Sequence, residues 1–196
     1  MLTFIQSFRD CERGTASLEF VLVFPVFFAF FLMTFESGMV SLRHVMLERG
    51  VDVTVREVRI GALPSPTRAE LRDRICQVAQ IIPNCDTQLQ LEMMIRNPRN
   101  FATIPANVPC IDRSVSTQPV VEFTNGTHNE LVVLRACLRL DPFLPTTGLG
   151  KAIVDSGDAA SGGSYALVST AAFVIEPEGT SGDDGSGSSP ADGGGD

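Results

Sequence analysis

The stretch Arg13-Gly14-Thr15-Ala16-Ser17-Leu18-Glu19-Phe20 decides the fold, because it leads directly into the apolar run of residues 20–35. That run contains 16 residues, none of them charged, and seven of them are Phe. As an α-helix the run spans about 24 Å, which is short of the roughly 30 Å hydrocarbon core of a bilayer. Residues 15–18 and 37–42 lengthen it enough to cross. The sequence therefore predicts one long membrane-spanning helix near the N-terminus.

Glu19 lies at the start of this apolar helix. A carboxylate there costs free energy in a membrane, so its presence indicates a function. The small residue Gly14 is five positions upstream, directly behind the basic Arg13. A cleaved secretory signal is one alternative, but Phe35-Glu36-Ser37-Gly38 is a poor A-x-A-like cut site, and Glu19 lies where an uncharged stretch is expected. An ordinary uncleaved anchor is a second alternative, and it leaves Glu19 without a function.

The five cysteines divide unevenly about the apolar run. Cys11 precedes it, whereas Cys76, Cys85, Cys110 and Cys137 follow it. If the later four lie in an oxidising compartment, they form two disulfides, and Cys11 stays reduced on the cytoplasmic side. Four cysteines allow three connectivities, of which we favour Cys76–Cys85 with Cys110–Cys137. The count of arginines on the two sides of the run favours the opposite orientation, and we give more weight to the cysteine division and to the spacing of Arg13, Gly14 and Glu19 before the run.

Composition narrows the possible functions further. A net charge of -8 and a pI near 4.7 give nucleic-acid binding no electrostatic support. We expect neither His44 nor His128 to be a metal ligand, and the later cysteines contain no C-x-x-C pair, which favours disulfides over zinc. We expect no enzymatic activity, no catalytic residue, no metal site and no cofactor.

Helix is predicted to continue past the membrane to about Ile60 and to stop at Gly61. Gly50 interrupts the helical pattern, and the valines that follow it alternate as in a strand, but we favour helix throughout. A second helix begins with a capping box formed by Thr67 and Glu70. It is expected to run to Pro83-Asn84.

Three later segments have the patterns of β-strands. Residues 89–95 alternate, and residues 119–123 and 131–140 flank Asn125-Gly126, which is typical of a β-hairpin. Residues 166–175 are nearly all apolar, which is typical of a central strand. After Pro177 the chain is Gly, Ser and Asp with no large apolar residue, so residues 178–196 are predicted to be a disordered acidic tail. The fold class is α+β, with a long N-terminal helix, a short helix and an antiparallel sheet of three to five strands.

The segment from Arg13 to about Gly61 resembles the TadE/TadF-type pseudopilins of tight-adherence (Flp-type) pilus systems. The likeness rests on the Gly14 cut site, Glu19-Phe20, Pro25 and the Glu36-Ser37-Gly38 step. It extends to the helix end Val55-Arg56-Glu57-Val58-Arg59-Ile60-Gly61. Weaker likenesses are Asp141-Pro142-Phe143-Leu144 and Ile175-Glu176-Pro177.

This resemblance implies a prepilin-like precursor in the bacterial inner membrane. A prepilin peptidase would cut after Gly14 and leave Thr15 as the new N-terminus, so residues 1–14 would be a cytoplasmic leader. Residues 15–61 would form the membrane-spanning helix, and residues 62–177 a periplasmic α+β domain. Glu19, Phe20 and Pro25 would then act in filament assembly.

The same resemblance implies three kinds of partner: the prepilin peptidase, other pilin and pseudopilin subunits, and the inner-membrane pilus assembly platform. A disulfide-linked domain of this size is hard to repeat along a thin fibre, which favours a minor pilin or pseudopilin that supports adhesion and biofilm formation. The alternative is a single-pass anchored periplasmic scaffold or ligand-binding domain that is not incorporated into a pilus. Whether the protein enters the fibre or stays in the membrane is open at this point.

Overall fold

A computed structural model describes residues 15–100, 103–118, 120–155 and 163–176. The predicted leader with Gly14 and Cys11, and the predicted tail of residues 178–196, lie outside the described residues. The first helix, α1, is Thr15–Arg59 and contains 45 residues. At 1.5 Å per residue it is about 67 Å long. It ends close to the predicted position, because Gly61 adopts a left-handed φ of 74° that a helix cannot continue.

The second helix, α2, is Arg68–Val78. Its capping box is confirmed: the Thr67 side chain accepts from the Glu70 backbone N–H, and the Glu70 carboxylate accepts from the Thr67 backbone N–H. The helix ends at Val78, earlier than predicted, although Ala79 and Ile82 remain buried in the core. A single-turn helix, α3, follows at Cys85–Gln88.

An antiparallel sheet of three strands completes the α+β fold. The strands are β1 Leu89–Arg96, β2 Leu131–Leu140 and β3 Tyr165–Val174, and their spatial order is β1-β2-β3. β2 is therefore the central strand. A short helix, α4, at Gly148–Asp155 lies between β2 and β3 in the sequence.

Two predictions about the sheet are wrong. The hairpin on Asn125-Gly126 does not form, because β2 pairs with β1 on one side and β3 on the other and has no free edge for residues 120–123. Phe123 instead forms an isolated parallel bridge to Met93 on the outer edge of β1. The nearly apolar β3 is an edge strand, not a central one, and its residues alternate between buried and exposed.

The core lies between one face of the sheet and the helices α1 and α2. It contains alternate residues of β2, such as Val132, Leu134 and Leu138, together with Leu47 and Ile75 from the helices. The opposite face of β2 is also buried, because the loop before it folds across the sheet. That burial explains why β2 is apolar or arginine at nearly every position.

Candidate functional site

The first half of α1 is an apolar surface that the rest of the described chain leaves uncovered. Leu18, Leu22 and Phe27 are 65%, 67% and 66% exposed, and the large side chains between them are exposed as well. Residues 17–35 span about 28 Å along the helix, close to the roughly 30 Å thickness of a hydrocarbon core. The helix is long and apolar enough to cross a membrane once.

Glu19 is the only ionisable side chain among the described residues 17–35, and it is exposed. It lines a shallow groove along the helix together with Phe20, Val23, Phe24 and Phe27. Stacked rings form one side of this surface, with centroids 5.0 Å apart for Phe20 and Phe24. The structure therefore places one carboxylate beside an exposed aromatic surface at the start of the helix.

Pro25 lies inside α1, six positions beyond Glu19. Because proline has no backbone N–H, it cannot bond to the carbonyl of Val21, which a regular helix would satisfy. In a membrane that carbonyl has no water to bond. Glu19, Phe20 and Pro25 thus share the first three turns of the uncovered half, and their predicted part in filament assembly remains a prediction.

Glu36 lies where α1 enters the α+β part of the molecule, the described residues from 36 to 176, which we call the head. Sequence reasoning missed its role in joining α1 to the head. Its side chain is fully buried. Its Oε1 and Oε2 atoms accept hydrogen bonds from the backbone N–H groups of Phe143 and Leu144, each at 2.8 Å. The Phe143 ring also packs edge-on against Phe35, with centroids 5.4 Å apart. The separate segments at 36–38 and 141–144 that resemble the family are thus one contact in space.

Arg43 lies two turns beyond Glu36 on the same side of α1 and makes a second attachment. It is 7% exposed, and its Nη1 atom donates to the backbone oxygen of Asp141 and to the Tyr165 hydroxyl, both at 3.0 Å. These bonds join α1 to the end of β2 and to the start of β3. Glu36 and Arg43 therefore fix the position of α1 relative to the rest of the head.

The last part of α1 is embedded in the head. Leu47, Val51 and Thr54 are fully buried, and Gly50 allows a close approach of α2. Arg74 of α2 donates from Nε to Glu57 Oε2 at 2.8 Å and also bonds through its Nη2 atom. This hydrogen bonding by Arg74 lowers the pKa of Glu57 below its ordinary value.

The two predicted disulfides, Cys76–Cys85 and Cys110–Cys137, are confirmed. The first joins α2 to α3, and the second fastens the loop before β2 to the central strand. The same loop is held by Arg135, which bonds to the Pro105 backbone oxygen and pairs with Glu92 at 2.6 Å in a buried position. The head is thus a rigid, cross-linked support for the far end of α1.

Within the described ranges, no three His, Cys, Asp or Glu side chains come together in a way that could hold a metal ion. His44 and His128 are each near a backbone oxygen, that of Val168 at 3.3 Å and that of Glu176 at 3.2 Å.

The fold and this surface define a class of protein: a single apolar helix that projects from a disulfide-linked α+β head. Residues 14–56 match the model of the family described as TadE-like protein. The match covers most of α1, so the N-terminal segment is TadE-like and the predicted resemblance is confirmed there, consistent with a TadE-type pilin-like protein of a Tad pilus system. Searches of curated proteins and of solved structures gave no match.

Proposed function

We propose that this protein is a minor pilin or pseudopilin that supports assembly of a tight-adherence pilus, and through it adhesion and biofilm formation. The observation that carries the proposal is the division of α1 into an enclosed half and an uncovered apolar half with one carboxylate at its start. An uncovered helix of this kind can lie in a bilayer or pack against like helices of neighbouring subunits. The TadE-like match over residues 14–56 supports the pilus as its setting.

Glu19 has a specific part in this proposal. Cleavage after Gly14 would create an ammonium group at Thr15, one helical turn before Glu19. In surroundings of low dielectric an unpaired charge costs several kcal/mol, so a subunit register that pairs the ammonium with a carboxylate is favoured. Glu19 would pair with its own amine or with that of a neighbouring subunit, and it would act in register selection and not in catalysis.

The proposed cellular location follows from the same helix. The protein would be held in the inner membrane by one span, with the head in the periplasm, where its two disulfides can form. Its partners would be the prepilin peptidase, other pilin and pseudopilin subunits, and the assembly platform. The size of the cross-linked head favours a minor component of the fibre or of its assembly machinery.

Intact-mass and N-terminal analysis of the protein from membranes, with and without the cognate prepilin peptidase, tests the proposal. The expected result is loss of residues 1–14 only when the peptidase is present. A chain that keeps Met1 under both conditions would overturn the processing step. It would favour the alternative, an anchored periplasmic scaffold or ligand-binding domain.

A substitution separates processing from assembly. We expect Glu19→Ala to be processed normally but to reduce piliation strongly, because the Thr15 ammonium loses its partner. Ser17→Ala is the matched control, since it changes an exposed polar side chain in the same turn without removing charge. Sheared-pilus yield and intact mass are the two measurements. Normal piliation in Glu19→Ala would contradict the part assigned to Glu19.

A further inference from the structure

The segment after β2 lies at the border of the uncovered apolar half of α1. The Phe143 ring contacts Phe35 and is itself 53% exposed. A Cβ atom built on Gly148, at the start of α4, would lie 3.4 Å from the Cε atom of Met33. With α1 crossing a membrane, these contacts place the segment where hydrocarbon gives way to the polar headgroup layer, which is about 5–7 Å thick on each side.

A cleft of about 580 Å³ opens beside this segment. Three arginines line it, Arg43, Arg113 and Arg139, together with the carboxylate of Asp141 and the edge of Phe143. We call it the arginine cleft. Its lining carries three cationic groups and one anionic group, although the whole chain is acidic.

The charges in the arginine cleft are incompletely paired. Asp141 is occupied by Arg113, whose Nη1 atom lies 2.5 Å from its Oδ1 atom. Arg139 is only 6% exposed, and its Nε atom is buried without a hydrogen-bond partner within the described part of the chain. The same holds for the Nε atom of Arg43, which is 7% exposed.

Two further carboxylates lie close, and their hydrogen bonds come from neutral groups and not from the arginines of the cleft. Glu36 accepts its two hydrogen bonds from the backbone of residues 143 and 144. Asp112 interacts electrostatically with Arg139, but its hydrogen bonds come from the side chain and backbone N–H of Ser114. The Nε atoms of Arg43 and Arg139 are shielded from solvent, so an acceptor that enters the cleft would meet the terminal Nη donors of its arginines. The cleft is therefore suited to an anion that comes from outside the chain.

We infer that the arginine cleft binds the phosphate of an anionic membrane lipid on the face of the bilayer where the head lies. Guanidinium groups match the geometry of phosphate oxygens, and their bonds to phosphate are charge-assisted. Free phosphate has the same chemistry, but the position of the cleft beside Phe35 and Phe143 favours a headgroup whose acyl chains lie along α1. The inference rests on α1 as a membrane anchor and does not depend on pilus assembly.

The test uses the full-length protein in a neutral detergent, with bound lipid counted by native mass spectrometry. The probes are dioleoylphosphatidylglycerol, dioleoylphosphatidylcholine and sodium phosphate. We expect the anionic lipid to bind preferentially, and Arg139→Gln to weaken its binding about tenfold through the loss of one charge-assisted contact. The control Arg99→Gln removes the same charge from an exposed loop position and should bind as the unmodified protein does.

Arg139→Lys keeps the cation in the cleft and should bind more lipid than Arg139→Gln. If Arg139→Gln fails to fold, as judged by circular dichroism, the comparison of the anionic and zwitterionic lipids on the unmodified protein still tests the inference. Equal binding of the two lipids would overturn the inference, and so would equal loss in Arg139→Gln and Arg99→Gln. Displacement of the anionic lipid by millimolar phosphate would overturn the assignment to a lipid. The assay uses purified protein, so a failure of pilus assembly would leave its outcome unchanged.

Discussion

Glu36 joins α1 to the head through two backbone N–H groups that are more than a hundred positions away. The capping box of Thr67 and the bridge Cys76–Cys85 were predictable because their partners are three and nine positions apart. Glu36 was visible in the sequence as a charge after an apolar run and as part of the family resemblance, but neither gave it a partner. Its partners are backbone atoms, which carry no residue signature, so no pattern could have identified them.

Glu36→Gln should destabilise the head by about 2 kcal/mol, since bonds to a charged acceptor are worth more than bonds to an amide. The amide also turns one acceptor into a donor that faces a backbone N–H. Glu48→Gln is the control, because Glu48 is on the same helix with its side chain 52% exposed. Thermal unfolding followed by circular dichroism measures both variants. Equal midpoints would contradict the part given to Glu36.

The pair of Glu57 and Arg74 predicts a pH dependence. Hydrogen bonding by Arg74 lowers the folded-state pKa of Glu57 from 4.5, so the pair stabilises the fold above that pH and loses its effect as pH falls through the lowered pKa. Arg74→Gln should therefore be less stable than the unmodified protein near pH 7 and should approach it near pH 3. Unfolding midpoints between pH 3 and 7 test this. A constant difference across the range would contradict it.

At the scale of elements, the helix predicted to continue through Gly50 is confirmed, and the structure supplies the reason for the glycine. Gly50 interrupts the helical pattern but not the helix. A Cβ atom at Gly50 would lie 2.9 Å from the backbone oxygen of Ile75 in α2, so the glycine is needed for helix packing. Gly126 is similar: a Cβ there would lie 2.4 Å from Val132, and its dipeptide with Asn125 makes no hairpin.

Gly50→Ala and Gly38→Ala should have opposite effects on stability. Alanine gains about 1 kcal/mol over glycine in a helix interior. At Gly38 nothing lies within 4 Å of the new Cβ atom, so that gain is kept and the protein becomes more stable. At Gly50 the backbone of Ile75 must move, and overpacking costs of about 1–3 kcal/mol outweigh the gain. Chemical denaturation of both variants checks the signs, and stabilisation by Gly50→Ala would contradict the packing argument.

The sheet shows which element-level features escape sequence reasoning. The strand periods of β1 and β2 were predictable, because alternation is a local property. Strand order was not, since the pairing of β1 with β2 spans 34 intervening residues, from Arg96 to Leu131. The apolar character of β3 indicated a central strand, but five of its residues are small Ala, Ser or Thr, which an edge position tolerates. Composition alone could not distinguish an edge strand from a central strand.

At the scale of the whole molecule, the fold class and the long apolar first helix were predictable because 16 consecutive uncharged, mostly apolar residues are rare outside a membrane span or a signal sequence. The contacts of Glu36 and Arg43 with the head, and the arginine cleft beside them, were not predictable. They combine residues from α1, the loop before β2, β2 itself and the segment after it. Together they place the polar side of the head directly above the point where the apolar surface ends.

That arrangement predicts a sharp boundary of water access along α1. Phe24 and Val45 are 44% and 57% exposed in the structure, but with the helix in a bilayer only Val45 faces water. In a Cys11→Ser background, Val45→Cys should react with a membrane-impermeant maleimide in proteoliposomes, because maleimide requires a hydrated thiolate. Phe24→Cys should react only after the membrane is dissolved in detergent and the helix is exposed. Comparable labelling of the two cysteines in intact proteoliposomes would show that residues 17–35 do not lie in the hydrocarbon core.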